Sequence, residues 1–250
     1  MQIIRYEFQN NTQWGWINTN FVGKIEGDIY GDFRRFDADI PIEKIKLLSP
    51  VVPSKIVCIG RNYAAHAAEH QVDVPEIPLI FLKPPSSLIG PNETIIFPPQ
   101  SEQIEHEAEL AVVIGKSGRW IEPDEVRKYI FGYTIANDVT ARDLQRSDGQ
   151  WTRGKGFDTF CPIGPFIETE FDDSDALITC RVNDQVRQMA STRDMIFPVE
   201  TLVAFISSVM TLNIGDVILT GTPAGVGVLK SGDTIEIEIE GIGTLINNTK

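Results

Sequence analysis

Three clusters of residues have types and spacings that could do chemistry. In "AAHAAEHQV", residues 64–72, His66, Glu69 and His70 follow the order H-x-x-E-H. Two readings fit: an inverted zinc-peptidase motif with both imidazoles on a metal, or a helix face that moves a proton, because residues three and four apart are neighbours on a helix. In "IEHEAELAVVIG" the acids Glu105, Glu107 and Glu109 alternate, so a strand puts them on one face and His106, Ala108 and Leu110 on the other. The run becomes apolar on both faces where Glu109 lies, and a carboxylate buried there must be paired or metal-bound. Two like charges about 4 Å apart repel by roughly 4 kcal/mol at an effective dielectric of about 20, so something positive is expected between Glu107 and Glu109. Asp138 closes "YTIAND", another apolar strand with the same difficulty. Two glutamates and an aspartate, with no thiolate, suit a hard cation (Mg2+, Mn2+ or Ca2+) better than zinc. From spacing alone the alternative stands beside it: acids that face solvent or pair with Arg142 or Lys155.

These side chains need a scaffold, and the chain offers mostly strands. The first fifty residues alternate "IIRYEF", "WGWI" and "FVGKI" with turn signals such as "EGDIYGD", which predicts a small N-terminal β lobe over residues 1–52. "LLSPVVPSK", with Pro50 and Pro53, reads as the connection to a larger unit over 53–250. In that unit "KIVCIG" is a buried strand and "NYAAHAAEH" a short alanine-rich helix. "PLIFLKPP" and "TIIFPP" are further strands, and "EHEAELAVVIG" (105–115) reads as one long strand. "EPDEVRKYI" opens a helix, with Pro123 and two acids in its first turn. "FGYTIANDVT" is again a strand, a second long helix spans about 198–210, and "DTIEIEIEGIGTL" is a strand whose alternating acids mark a half-solvated face. Strands outnumber helices, so the expected class is α+β, mainly β, around a dominant antiparallel or mixed sheet.

Bulk properties narrow the functions. A formal net charge of −13 argues against nucleic acid or a membrane surface as partner, since phosphate backbones call for a basic footprint. "IFPVETLVAFISSVM" is broken by Pro198 and Glu200 and is too short to span a bilayer. The N-terminus lacks a basic head before an apolar run, so no secretion signal is expected and a cytoplasmic location is the default. Cys58, Cys161 and Cys180 form no C-x-x-C pair and read as reduced core thiols. "GTPAGVG" lacks the lysine of a phosphate loop, so its glycines are read as turns.

Taken together, "GRNYAAHAAEH", "FLKPPSSLIGP", "EHEAELAVVIG", "ANDVTARDLQ", "GKGFDTFCPIGP" and "GDVILTGTPAGVG" resemble the fumarylacetoacetate hydrolase family, in the family's order, over residues 55–240. The resemblance implies a large mixed β-roll with a divalent cation, Mg2+ first among the candidates, on Glu107, Glu109 and Asp138. It implies a proton-transfer dyad of His66 and Glu69, as in acylpyruvase members, and leaves His70 as a helix-surface residue. Arg142, Gln145, Lys155 and Thr222 match positions that hold substrate oxygens, and Lys155 also stands with the catalytic groups. The implied partner is a small 2-oxo acid and the implied assembly a homodimer. The expected reaction is hydrolysis of acylpyruvates: His66 takes a proton from water, the water attacks the distal carbonyl, the C–C bond breaks, and the pyruvate enolate leaves on the metal. Isomerisation, tautomerisation or decarboxylation of related 2-oxo or 2-hydroxy dienoic acids, or of oxaloacetate, is the alternative on the same site. Lys83 lies in a matching segment but is assigned no role.

Overall fold

The structure is a computed structural model that describes residues 1–69, 71 and 73–250. Its first strands are β1 (Gln2–Phe8), β2 (Asn11–Asn18), β3 (Phe21–Gly27), β4 (Phe33–Pro41) and β5 (Lys46–Leu48). β1 to β4 form an antiparallel meander, and β1 buries Ile3, Ile4 and Tyr6. The meander continues into the rest of the molecule, because Gln2 and Ile3 pair with Glu168 and Ile167. The N-terminal strands therefore share one sheet with the larger unit.

Next come β6 (Ile56–Gly60), α1 (Ala64–Glu69), β7 (Leu79–Lys83), β8 (Leu88–Ile89), β9 (Thr94–Ile95), β10 (Ile104–His106), β11 (Ala108–Ile114), β12 (Ile130–Asn137) and β13 (Thr140–Ala141). They are followed by α2 (Arg142–Asp148), α3 (Thr152–Lys155), β14 (Cys161–Glu168), β15 (Leu177–Val182), β16 (Gln185–Ser191), α4 (Val199–Val209), β17 (Val217–Leu219), β18 (Gly227–Val228), β19 (Thr234–Ile239) and β20 (Gly243–Thr249). Along the main sheet the order is β4-β3-β2-β1-β14-β12-β11-β17-β6-β7, and a second sheet runs β16-β15-β19-β20-β9. The class is the expected one, mainly β with few helices. Among the described residues no helix is long and apolar enough to cross a membrane.

β11 is buried on both faces, as its apolar run requires. Leu110, Val112 and Ile114 enter a core shared with Ile135, with Ile178 and Ile237 of the second sheet, and with Val203 and Ile206 of α4. Ala111 and Val113 enter another core, with Val217, Ile163, and Ile3 and Ile25 of the meander. α4 buries Val199, Leu202, Val203 and Ile206, the spacing of one helix face.

Three expected elements differ. The strand expected over 105–115 is two strands: β10 pairs with β13 and β18, whereas β11 pairs with β12 and β17, and Glu107 lies at the break. The break is held because the Glu107 amide donates to Asn137 Oδ1 and the Asp138 amide donates to the Glu107 carbonyl. Pro123–Lys128 is a 3-10 helix, without an α-helical turn. "DTIEIEIEGIGTL" folds back on itself as the hairpin β19–β20, with Gly241 at φ +84° in the turn.

Candidate active site and metal centre

The break at Glu107 brings the acids to the mouth of the main sheet. β11 starts with Ala108, so Glu109 follows the alternation onto the Ala111 and Val113 side, and Asp138 enters from the residue after β12. Glu107, Glu109 and Asp138 each offer an oxygen within 4.8 Å of the others, and all are buried. Among the described residues this is the group of side chains able to hold a metal ion.

Three cations reach the cluster. Lys155 Nζ, at the end of α3, donates to Glu107 Oε2 at 2.6 Å and to Asp138 Oδ2 at 2.7 Å. Lys83 Nζ, at the end of β7, donates to Asp138 Oδ1 at 2.6 Å and to the Val139 carbonyl at 3.1 Å. Arg142, at the start of α2, donates from Nε to Glu105 Oε2 at 2.7 Å and from Nη2 to Glu107 Oε1 at 2.5 Å. Arg142 and Lys155 are thus buried ion-pair partners and not surface salt bridges; they place positive charge on Glu107, but among the described residues neither forms an ion pair with Glu109.

Four buried carboxylates, Glu105, Glu107, Glu109 and Asp138, face three buried cations, which leaves one negative charge in excess. Glu109 is the one of the four with no ion-pair partner among the described residues; its Oε2 accepts from the Gly221 amide at 2.6 Å. Burial, and then repulsion from Asp138 and Glu107, push its carboxyl well above the ordinary carboxylate range. Glu107 goes the other way: burial opposes its charge, but Lys155 and Arg142, with His66, hold its carboxyl well below that range. Lys155 is held charged against burial by Asp138 and Glu107. A set of oxygen donors with an uncompensated carboxylate fits a hard divalent cation, held by Glu107, Glu109 and Asp138.

A cavity of about 300 Å³ opens over the cluster. His66, Glu107, Glu109, Arg142, Gln145, Lys155 and Thr222 line it, with Phe81 and Trp151 as apolar wall. Asp138 lies beneath them, tied by Lys83 and Lys155, and Gln145 Oε1 accepts from Arg142 Nη1 at 2.6 Å. α1 carries the buried His66, with Nδ1 3.4 Å from Glu69 Oε2, while the Glu69 side chain is 34% exposed. A carboxylate can only accept, so this contact favours the Nδ1–H tautomer and leaves Nε2 as the basic ring nitrogen. The Gly225 amide donates to both Glu69 oxygens at 3.2 Å and ties α1 to the loop before β18. His70 lies outside the described residues. The three cysteines are buried and free; burial pushes the thiol of Cys58 well up and those of Cys161 and Cys180 to about 12. Thiols so held are inert core residues.

Sequence reasoning assigned nothing to Lys83, whose role depends on a contact 55 residues away in the chain. Only its place in "FLKPP", an amine at the end of an apolar strand, hinted that an acid must meet it.

Fold and site together define a mixed-β enzyme scaffold that gathers a buried oxygen-donor cluster beneath a small cavity lined by cations and an imidazole. The family model described as fumarylacetoacetate (FAA) hydrolase C-terminal matches residues 55–250, and one described as Rv2993c-like, N-terminal, matches residues 1–50. The chain belongs to the fumarylacetoacetate hydrolase family, a family of enzymes that includes hydrolases, isomerases and tautomerases. It is 46% identical over 220 residues to a protein named oxaloacetate tautomerase Fahd2a, mitochondrial, from Rattus norvegicus, across 83% of this chain and 70% of that one. The crystal structure of a 2-hydroxyhepta-2,4-diene-1,7-dioate isomerase from Mycobacterium marinum superposes with a TM-score of 0.93 at 42% identity, over 100% of this chain and 98% of that one. A fumarylacetoacetate hydrolase from Exiguobacterium antarcticum superposes with a TM-score of 0.87 at 38% identity, covering 100% and 99%.

Proposed function

We propose that the protein is a divalent-metal-dependent enzyme, with Mg2+ the best-suited cation, that moves a proton at the carbon beside the keto group of a small 2-oxo acid. The observation that carries this reading is the cluster itself: three buried oxygen donors with an excess negative charge, open to a 300 Å³ cavity that His66 also reaches. When bound, a divalent cation there supplies Lewis-acid polarisation of a keto oxygen and offsets the negative charge developing on it. Arg142 and Lys155 add positive potential for the carboxylate of a substrate that approaches a chain of net charge −13. His66, steadied by Glu69 through Nδ1, holds or takes the proton at Nε2, as an imidazole does in general acid–base catalysis. Glu69, being part exposed, offers the route to solvent. The relatives named tautomerase and isomerase support a reaction that ends at proton transfer.

The relative named a hydrolase favours a second reading, cleavage of acylpyruvates, in which His66 activates a water that attacks the distal carbonyl. One experiment separates the two. The Mg2+-loaded protein is given oxaloacetate, with the enol absorbance followed, and separately acetylpyruvate, with acetate and pyruvate assayed. Chelator-sensitive acceleration of enol decay without cleavage supports proton transfer, whereas acetate and pyruvate in equal amounts support hydrolysis. If neither substrate is turned over faster with the metal-loaded protein than without it, both readings fail.

A further inference from the structure

Four Lys and Arg side chains line the cavity, and two of them are uncommitted. Arg142 and Lys155 are buried and direct their donors to Glu105, Glu107 and Asp138. Arg61 and Arg146 line the same cavity, yet among the described residues neither forms an ion pair. They also stand further out: Arg61 is half-buried, and Arg146, one helical turn along α2 from Arg142, is exposed. An aromatic pair joins the two levels. Lys155 Nζ lies 5.1 Å from the centre of the Phe81 ring, and Phe81 meets Trp151 edge to face with centres 5.2 Å apart. The guanidinium carbon of Arg61 lies 5.8 Å from the centre of Trp151, within reach of a cation–π contact. The backbone holds Arg61 in place. Its φ is +63°, a left-handed conformation that a residue with a Cβ adopts at a cost. On one side Gly60 ends β6 so close to Trp151 that a Cβ would lie 2.7 Å from the ring. On the other, the fully buried Asn62 donates from Nδ2 to the Phe197 carbonyl at 3.0 Å and the Thr220 carbonyl at 2.8 Å, and its Oδ1 accepts from the Phe197 amide at 2.8 Å. A glycine at this position would relieve the strain, so a strained arginine that lines a cavity without an acid to meet points to a ligand.

We propose that Arg61 is a specificity-determining residue whose guanidinium, with that of Arg146, forms a second carboxylate subsite in the outer cavity. The protein then selects 2-oxo acids that carry a carboxylate at each end over those with an uncharged tail. The proposal rests on reading the acid cluster as the place where a 2-oxo acid docks. A guanidinium presents paired N–H donors that match a carboxylate, and they lie in its plane, clear of an aromatic face beside it. An alkyl tail in the same place would strip water from those donors and leave them unpaired.

Oxaloacetate and 2-oxobutanoate form a matched pair of probes, the same 2-oxo acid skeleton ending in a carboxylate or in a methyl group. Exchange of their C3 protons in D2O is followed by NMR, above the protein-free rate, with the Mg2+-loaded wild type, Arg61→Met, Arg61→Lys and Arg61→Gly. Oxalate, a dianion whose two carboxylates are adjacent, is titrated calorimetrically into the same four proteins. Arg61→Met should cut the ratio of kcat/KM for oxaloacetate to that for 2-oxobutanoate by about ten- to hundredfold, the scale of a lost charge-assisted hydrogen bond, chiefly through KM. Oxalate affinity should fall by less than about threefold, since only the screened field of the arginine reaches it. Arg61→Lys should recover part of the ratio. Arg61→Gly should lose it as Arg61→Met does, and because glycine accepts the left-handed backbone it decides the matter if the methionine variant fails to fold. If oxalate weakens as much as oxaloacetate, Arg61 acts through the general field of the cavity and not on a second carboxylate, and the proposal falls while the 2-oxo-acid reading stands. The same holds if the wild type exchanges both acids equally well. If the wild type neither binds oxalate nor exchanges either acid, that reading falls and takes the proposal with it.

Discussion

Among the described residues Glu109 has one hydrogen-bond donor, the Gly221 amide, against two neighbouring carboxylates, and burial together with those neighbours raises its pKa. A carboxyl whose folded pKa exceeds the unfolded value of about 4.3 contributes stability that is full below that pH and lost as pH rises through the folded value. A bound cation removes this penalty, so the gain in melting temperature on adding Mg2+ should be larger at pH 8 than at pH 5, and an equal gain at both would argue that Glu109 is not a ligand. His66→Ala should lower kcat by about a hundredfold or more, the range of a lost general base, while calorimetric oxalate affinity changes little, because the chelating groups are untouched. The acids were legible in the sequence because a carboxylate in an apolar strand has few physical excuses, whereas the pairing of His66 with Glu69 was read from the family resemblance and not from the residues alone. Lys83 was not legible: it acts through a partner 55 residues away, and only the folded chain decides which partner that is.

At the level of elements, the site depends on where β10 ends and β11 begins. The alternation of Glu105, Glu107 and Glu109 suggested one face of one strand, but the run is divided between two sheets, and that division was not legible, since the break at Glu107 is made by Asn137 from another strand. The loop before β18 matters equally, because its Gly225 amide holds Glu69. Gly225 sits at φ +100°, and a Cβ there would lie 2.0 Å from the Arg187 carbonyl oxygen. Gly225→Ala must therefore move the loop off Glu69. We expect kcat to drop by about tenfold with metal stoichiometry intact; unchanged kcat in a folded variant would show that Glu69 needs no such tether.

Across the whole molecule, the N-terminal meander and the catalytic unit share a sheet through β1 and β14, and Ile3, Ile25 and Ile29 pack in one core with Val51, Ile56 and Val217. The sequence showed the strands of this lobe but not their pairing, since contacts between residues 2–3 and 167–168 leave no local trace. A chain lacking residues 1–52 should lose solubility or its cooperative melt, because removal strips an apolar face and opens the edge of β14. A truncated chain that melts like the full one would make the lobe an independent appendage. The central claim is that Glu107, Glu109 and Asp138 jointly hold a divalent cation on which a 2-oxo acid docks. Anomalous diffraction from crystals grown with Mn2+ and oxalate tests it most directly. The account predicts one strong manganese peak bonded at about 2.1 Å to an oxygen of each of the three residues, with oxalate on its open side facing His66; manganese found elsewhere, with Lys155 still bridging Glu107 and Asp138 and no ion among the acids, would contradict it.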